Sequence, residues 1–193
     1  TLALGVQRMA RLNAIVRKLP AVETLGSVTV ICSDKTGTLT RNEMTVQTVV
    51  TAGRTFKVTG TGYAPTGEFR LDHHVIEPSA CPELEEIIRA AVLCNDAVLQ
   101  ERDGQWTVVG DPTEGALLTL GMKAGLDPDR LRNGRSRLST IPFESEYRFM
   151  ATLNTDGQWH KYLFVKGAPE TVIERCQSER TGNGGQRPID RTC

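Results

Sequence analysis

The 193-residue chain has 39% hydrophobic, 24% charged and 5% aromatic side chains, and its 23 basic groups balance 23 acidic ones. That length accommodates one or two domains with a sizeable core. Zero formal net charge and few aromatic rings leave neither an electrostatic footprint nor a stacking surface for nucleic acid, so no nucleic-acid partner is expected.

The five cysteines are odd in number, widely spaced and without a C-x-x-C pair, which fits a reducing compartment such as the cytosol. No apolar stretch reaches the roughly 18 residues that cross a bilayer, and no signal peptide is visible. The chain starts without Met and stops at IDRTC, so it reads as a piece of a larger protein.

Residues 1–19, TLALGVQRMARLNAIVRKL, predict a helix with Leu2, Val6, Met9 and Asn13 in one line, ended by Pro20. Its cations, Arg8, Arg11, Arg17 and Lys18, suit either a solvated face or the cytoplasmic flank of a membrane helix. SVTVIC (27–32) predicts a buried central strand, and DKTGTLT follows it at 34–40. MTVQTVVTAG and RTFKVTG read as strands joined near Ala52-Gly53, before the Gly/Pro-rich loop GTGYAPTGEF.

PELEEIIRAAVLCNDAVL (82–99) predicts a helix with Pro82 at N1, and DPTEGALLTLGMKAG (111–125) a second. In the latter, Asp111 as N-cap and Glu114 at N3 make a capping box. Asp103-Gly104 and Asp156-Gly157 predict hairpin turns. A third helix is expected over APETVIERC (168–176), and 177–193 reads as irregular. The change from a buried strand to hairpins predicts two domains: a short strand–turn unit, then an α+β region of antiparallel sheet with flanking helices.

DKTGTLT carries chemistry. At the carboxyl end of a strand in an open α/β sheet, Asp34 would face the ligand crevice. Gly37 permits a tight turn, and Thr36 and Thr38 offer donors to phosphate oxygens. A carboxylate becomes an effective nucleophile toward phosphorus when a metal and such donors neutralise the incoming group. Asp34 and the Thr36 carbonyl are oxygen donors of the kind magnesium takes. An Asp-Lys turn with locally bonded threonines is the bland alternative.

Strand plus DKTGTLT resembles the phosphorylation signature of the P-type cation-transporting ATPases, within the haloacid-dehalogenase-like superfamily. ICSDKTGTLTRNEMTV, LCNDA, GDPTEGALL, PFESEYRFMATL and KGAPE stand in that family's order. The resemblance implies an ATP-driven cation pump, with ATP and Mg2+ as cofactors. It implies residues 1–20 as a stalk helix after a membrane segment, 21–44 as the start of the phosphorylation domain, and 45–193 as an inserted nucleotide-binding domain truncated at its end. Asp34 is then the phosphorylated residue, and Asp34 with Thr36 would hold magnesium. Phe143 would stack on adenine, Arg148 would meet phosphate or ribose, and Met150 would line the pocket. Lys166 and Gly167 of KGAPE would lie in the nucleotide pocket. Glu114 matches the acid at the adenine edge, with the capping box an equal explanation.

Parts of the family pattern are missing: TGD, GDGxND, the actuator domain with its TGE loop, and all transmembrane helices. The chain is therefore expected to bind ATP weakly without completing a phosphorylation cycle, and to work with actuator and transmembrane domains at the cytoplasmic face of a membrane. KLPAVETLG, LCNDA and GDPTEGALL resemble the calcium-pump branch and its bacterial relatives, which makes calcium the favoured ion. Two other readings stay open. A soluble haloacid-dehalogenase-like phosphatase usually has a second Asp two residues after the nucleophile, where Thr36 stands here. A non-catalytic nucleotide-binding module is the other. His73, His74 and His160 read as exposed histidines rather than metal ligands, and GNGGQ is no Walker phosphate loop.

Overall fold

The structure, a computed structural model, describes residues 2–18, 20–182 and 184–190. The chain divides into two units, Thr1–Asn42 and Glu43–Cys193.

In the first unit, α1 (Leu2–Arg11) is shorter than the helix expected over residues 1–19, and a separate α2 (Pro20–Gly26) follows it. Asn13 does not extend the apolar line. It takes a left-handed φ of 60°, while Asn13 N donates to Ala10 O (3.0 Å) and Ala14 N to Met9 O (3.0 Å). That pair of bonds is a Schellman stop, with Asn where Gly is usual. Pro20 opens α2 rather than ending α1, because the first helical position needs no N–H. SVTVIC is not a strand: residues 27–32 have no regular structure and are exposed. A buried strand needs paired neighbours on both sides, and no strand among the described residues lies alongside. The strand expectation is thus corrected.

The second unit is mixed α and β, with antiparallel sheets and flanking helices. It begins with a four-stranded meander, β1 (Thr48–Thr51), β2 (Arg54–Val58), β3 (Phe69–Leu71) and β4 (His74–Ile76). Next come α3 (Pro82–Leu93), the hairpin of β5 (Val98–Arg102) and β6 (Gln105–Val109), α4 (Pro112–Lys123) and α5 (Pro128–Gly134). A second meander follows, β7 (Ser136–Glu144), β8 (Phe149–Thr155) and β9 (Lys161–Gly167). The hairpin of β10 (Ser178–Arg180) and β11 (Gln186–Pro188) comes after α6 (Pro169–Arg175). The short α5 and the β10–β11 hairpin were not anticipated, although Asp127 and Pro128 supply an N-cap and an N1 proline for α5.

Two-residue turns set the registers. Ala52-Gly53 (φ 50° and 74°) and Asp103-Gly104 (53° and 76°) are left-handed at both residues, the geometry that matches strand twist. Asp156-Gly157 behaves differently. Thr155 pairs with Lys161, so five residues form the loop, and Trp159 rather than Gly157 has the positive φ, 66°. Asp156 organises this loop: its Oδ1 accepts from Gln158 N (2.9 Å) and His160 N (3.1 Å), and its Oδ2 accepts from the Tyr162 hydroxyl (3.0 Å).

α3 serves two cores. Leu84 and Ile88 pack with Val49, Phe56, Phe69 and Leu120 under the first sheet; Val92 packs with Ala97 and Leu118. α4 approaches closely because it presents glycines. A Cβ on Gly115 would lie 2.3 Å from Val108 Cγ2, and one on Gly121 2.4 Å from Val92 Cγ2. The expected helix over 82–99 ends instead at Leu93. Asn95 breaks it by accepting from Ala97 N (2.9 Å) and donating back to Ala91 O (3.3 Å), which turns the chain toward β5.

Partial desolvation would raise the Asp156 pKa, but the bonds from Gln158, His160 and Tyr162 outweigh it and hold the carboxyl at about 2, below its ordinary 3.8. A folded pKa below the unfolded one stabilises fully above pH 3.8 and ceases to do so as pH falls through about 2. An NMR titration should place the Asp156 carboxyl midpoint near 2. Asp156→Asn should flatten the acid limb of the stability curve in that window.

Candidate functional site

One end of the second meander collects the expected nucleotide residues. β8 is the middle strand, with Met150 opposite Lys166 and Phe149 opposite Gly167 on β9. On the other side Ile141 pairs with Ala151 and Glu144 with Phe149, and the register shifts between these pairs. Pro142, which lacks an N–H, and Phe143 sit in that irregularity. Phe143 is left 57% exposed on the end of the edge strand. Arg148 closes the β7–β8 turn at φ 56°, with its N–H on Glu144 O (2.8 Å). Its guanidinium meets Glu170 at 2.9 Å, and both side chains are exposed.

Gly167 allows the closest approach in this corner. A Cβ there would lie 2.3 Å from Arg148 O and 2.7 Å from Phe149 Cα, both backbone atoms. Ala168 N then donates to Arg148 O (2.9 Å), which hands the chain from β9 into α6.

α4 brings Glu114 to the same corner. Asp111 caps the helix as expected, its Oδ1 accepting from Thr113 N (2.8 Å) and Glu114 N (3.2 Å). Burial pushes the Asp111 carboxyl up, but those bonds and the charge of Lys166 outweigh it and lower the pKa. Glu114 does not return the bond as a capping box would. Its Oε2 accepts from Asp96 N (3.1 Å), and its Oε1 pairs with Lys166 Nζ. The pair is largely shielded, with side-chain exposures of 15% for Glu114 and 23% for Lys166. Cys94 lies nearby: burial raises its thiol pKa against an opposing pull from Lys166. Met150 is 1% exposed, beneath the surface of the corner, and its carbonyl accepts from Cys94 Sγ (3.7 Å).

The structure thus joins Glu114 to Lys166, sets Met150 under them, and places Phe143 and Arg148 at the rim. Asn95 and Asp96 were missed as supports. The only sequence signal was LCNDA itself, an Asn-Asp pair after a helix.

Asp34 and Thr36 belong to the first unit. Asp34 is exposed and extended (φ −69°, ψ 145°), and residues 35–39 form a turn in which Gly37 has φ 75°. Thr40, not anticipated, closes it: its N and Oγ1 both donate to Lys35 O (3.1 and 3.3 Å), and Oγ1 accepts from Gly37 N (3.3 Å). Among the described residues no group of three His, Cys, Asp or Glu could hold a metal ion. One carboxylate and one carbonyl on an exposed turn still suit magnesium, which keeps several waters.

Residues 83–193 match the family described as P-type ATPase, cytoplasmic domain N. The chain belongs to that family. The chain is 50% identical over 197 residues to "Cation-transporting ATPase pma1" of Synechocystis sp., covering 99% of this chain and 21% of that protein. It is 42% identical over 174 residues to "Calcium-transporting ATPase" of Bacillus subtilis, 90% of this chain and 20% of that one. It is 48% identical over 180 residues to "Calcium-transporting ATPase type 2C member 1" of Bos taurus, 91% of this chain and 18% of that one. The chain therefore spans about a fifth of the length of the curated relatives it matches. No helix of the described residues is long and apolar enough to cross a membrane.

In this domain N, Gly167 is the most sterically constrained site residue. Gly167→Ala should destabilise the fold by about 1–3 kcal/mol, the usual penalty for overpacking, because backbone atoms must move. Urea denaturation of the variant and the parent chain measures this directly.

Proposed function

We propose that the chain is the nucleotide-binding part of an ATP-driven cation pump that phosphorylates itself on Asp34. The observation that carries this is the corner of domain N where Lys166 is held by Glu114 beside exposed Phe143 and Arg148. An exposed ring at the end of a strand offers a face to adenine, and stacking of that kind is worth about 1–3 kcal/mol per base. Lys166 supplies a cation that an incoming phosphate draws away from Glu114, and Arg148 supplies a second that is paired only at the surface. Gly167 keeps backbone close to that corner.

Asp34 then acts as nucleophile. One carboxylate oxygen attacks the γ-phosphorus of ATP, a new O–P bond forms, and the bond to the β-phosphate bridging oxygen breaks with its electron pair leaving on ADP. Magnesium, when bound, neutralises phosphate charge, and Asp34 with the Thr36 carbonyl would hold it. Residues 21–44 are read as the opening of a haloacid-dehalogenase-like phosphorylation domain and 45–193 as the inserted nucleotide domain. Residues 1–20 are read as a stalk from the membrane, so this part works at the cytoplasmic face beside actuator and transmembrane domains. Calcium is the favoured cargo, since two of the relatives carry calcium-transporting names. Thr36, in place of a second Asp, favours a persistent aspartyl-phosphate over phosphatase chemistry.

In the full-length pump, Asp34→Asn should abolish acid-stable phosphorylation and ATPase activity while ATP binding is retained. Unchanged activity would leave only a binding module. In the same background Phe143→Ala should raise the Kd for ATP about five- to hundredfold, measured by calorimetry.

A further inference from the structure

We propose, given the nucleotide reading of the Glu114–Lys166 corner, that Arg137 is a positioning residue for it, acting on Lys166 through Asp96 and Glu114. Arg137 stands on β7 opposite Asn154 of β8, just before the register slips between Arg137 and Ser139. Its guanidinium makes three bonds to the link between α3 and β5. One terminal nitrogen pairs with the Asp96 carboxylate, and the other donates to Leu93 O (3.1 Å) and Asn95 O (2.8 Å). A planar fork can take a carboxylate and two carbonyls at once, whereas a lysine ammonium carries the charge without that spacing.

The residues that Arg137 grips are the residues that hold Glu114. The Asp96 N–H donates to Glu114 Oε2 (3.1 Å), and Asn95 Nδ2 donates to Glu114 O (2.9 Å). The remaining carboxylate oxygen, Oε1, pairs with Lys166. The network runs inward from the surface: side-chain exposure is 54% at Asp96 and 30% at Arg137, against 15% at Glu114 and 23% at Lys166. An exposed Arg–Asp pair contributes little by itself. Here the same guanidinium also takes two carbonyls, so losing the fork releases Asp96 and slackens the amide it presents to Glu114. Glu114 then holds Lys166 over a wider range of positions, and the order that Lys166 offers to an arriving phosphate is reduced. Arg137→Lys removes the fork and keeps the charge, which separates positioning from plain electrostatics.

The test follows the Lys166 Nζ NMR signal of the ligand-free 193-residue chain and, by calorimetry, its Kd for ATP. Both are measured in the wild type, Arg137→Lys, Glu114→Gln and the double variant. In Arg137→Lys the Lys166 signal should move toward that of an unpaired lysine. Kd should rise about three- to tenfold, the effect of about one hydrogen bond. In the Glu114→Gln background Arg137→Lys should leave Kd unchanged, because the amide no longer pairs with Lys166 and the route is cut. Should Arg137→Lys not fold, Asp96→Asn breaks the same pair from the other side with the backbone N–H intact, and should move the Lys166 signal likewise. An unmoved Lys166 signal in a folded variant overturns the proposal whatever ATP does. A rise in Kd that persists with Glu114→Gln overturns it too, because Arg137 would then act by general loosening. If ATP does not bind the wild-type chain, the nucleotide reading falls, and the Lys166 signal still decides whether Arg137 positions it.

Discussion

Asn95 is the constraint on which the second unit turns. It is 1% exposed and uses both ends of its amide: Nδ2 donates to Ala91 O and Glu114 O, and Oδ1 accepts from Ala97 N. Those bonds stop α3, reverse the chain into β5 and tie the first turn of α4 to the same point. The neighbouring carbonyls extend the knot, since Leu93 O accepts from Thr152 Oγ1 on β8 and from Arg137 on β7. Two helices and a sheet are therefore fixed by Leu93 at the end of α3 and the four irregular residues 94–97. Every polar atom of the Asn95 side chain has a partner, which is the condition under which a buried amide specifies a structure rather than weakening it.

Glu114 inherits its position from that knot. Its carboxylate reaches the Asp96 amide on one side and Lys166 on the other, so two elements distant in sequence converge on one corner. A shielded ion pair contributes little net stability, because desolvation offsets attraction, yet removing one partner leaves a costly unpaired charge. The pair is better understood as a poised cation. Under the proposed function, Lys166 is held by Glu114 before ATP arrives, so a phosphate that competes with Glu114 would meet a charge whose entropy has already been restricted. Asp96 carries the same architecture outward to β7, since its amide donates to Glu114 and its carboxylate pairs with Arg137.

Much of this was legible where the signal was local. Asp111 and Pro112 announced α4, and Asp103-Gly104 announced the β5–β6 hairpin, because caps and two-residue turns are decided by a few adjacent residues. Reading failed where a side chain chose a distant partner over a near one. Glu114 at N3 suited a capping box, but Lys166, 52 residues away, gave it a charged partner instead. Asn13 and Asn95 were absorbed into helical patterns because periodicity registers where apolar residues fall, not the backbone bonds an Asn can make. Asp156-Gly157 gave the right hairpin and the wrong turn, since Asp156 gathers donors over five residues. In the site, Phe143, Arg148, Lys166 and Gly167 came from resemblance. Their common placement at one end of a sheet required the β7–β8–β9 register, which no local pattern contains.

The first unit separates the same two kinds of physics. The turn around Gly37 forms from bonds spanning five residues or fewer, with Thr40 clasping Lys35 and Gly37. Residues 27–32, equally well marked in composition, stay exposed without strand pairing. A β-branched apolar run lowers the cost of becoming a strand but cannot supply the neighbouring strands whose N–H and C=O groups complete it. Closing a short turn costs little loop entropy, whereas a parallel pairing needs a crossover of a dozen residues or more. The hydroxyl-rich sequence after Asp34 therefore shapes its turn independently of any sheet. The apolar sequence before Asp34 has the opposite character, since its structure is conditional on what lies beside it.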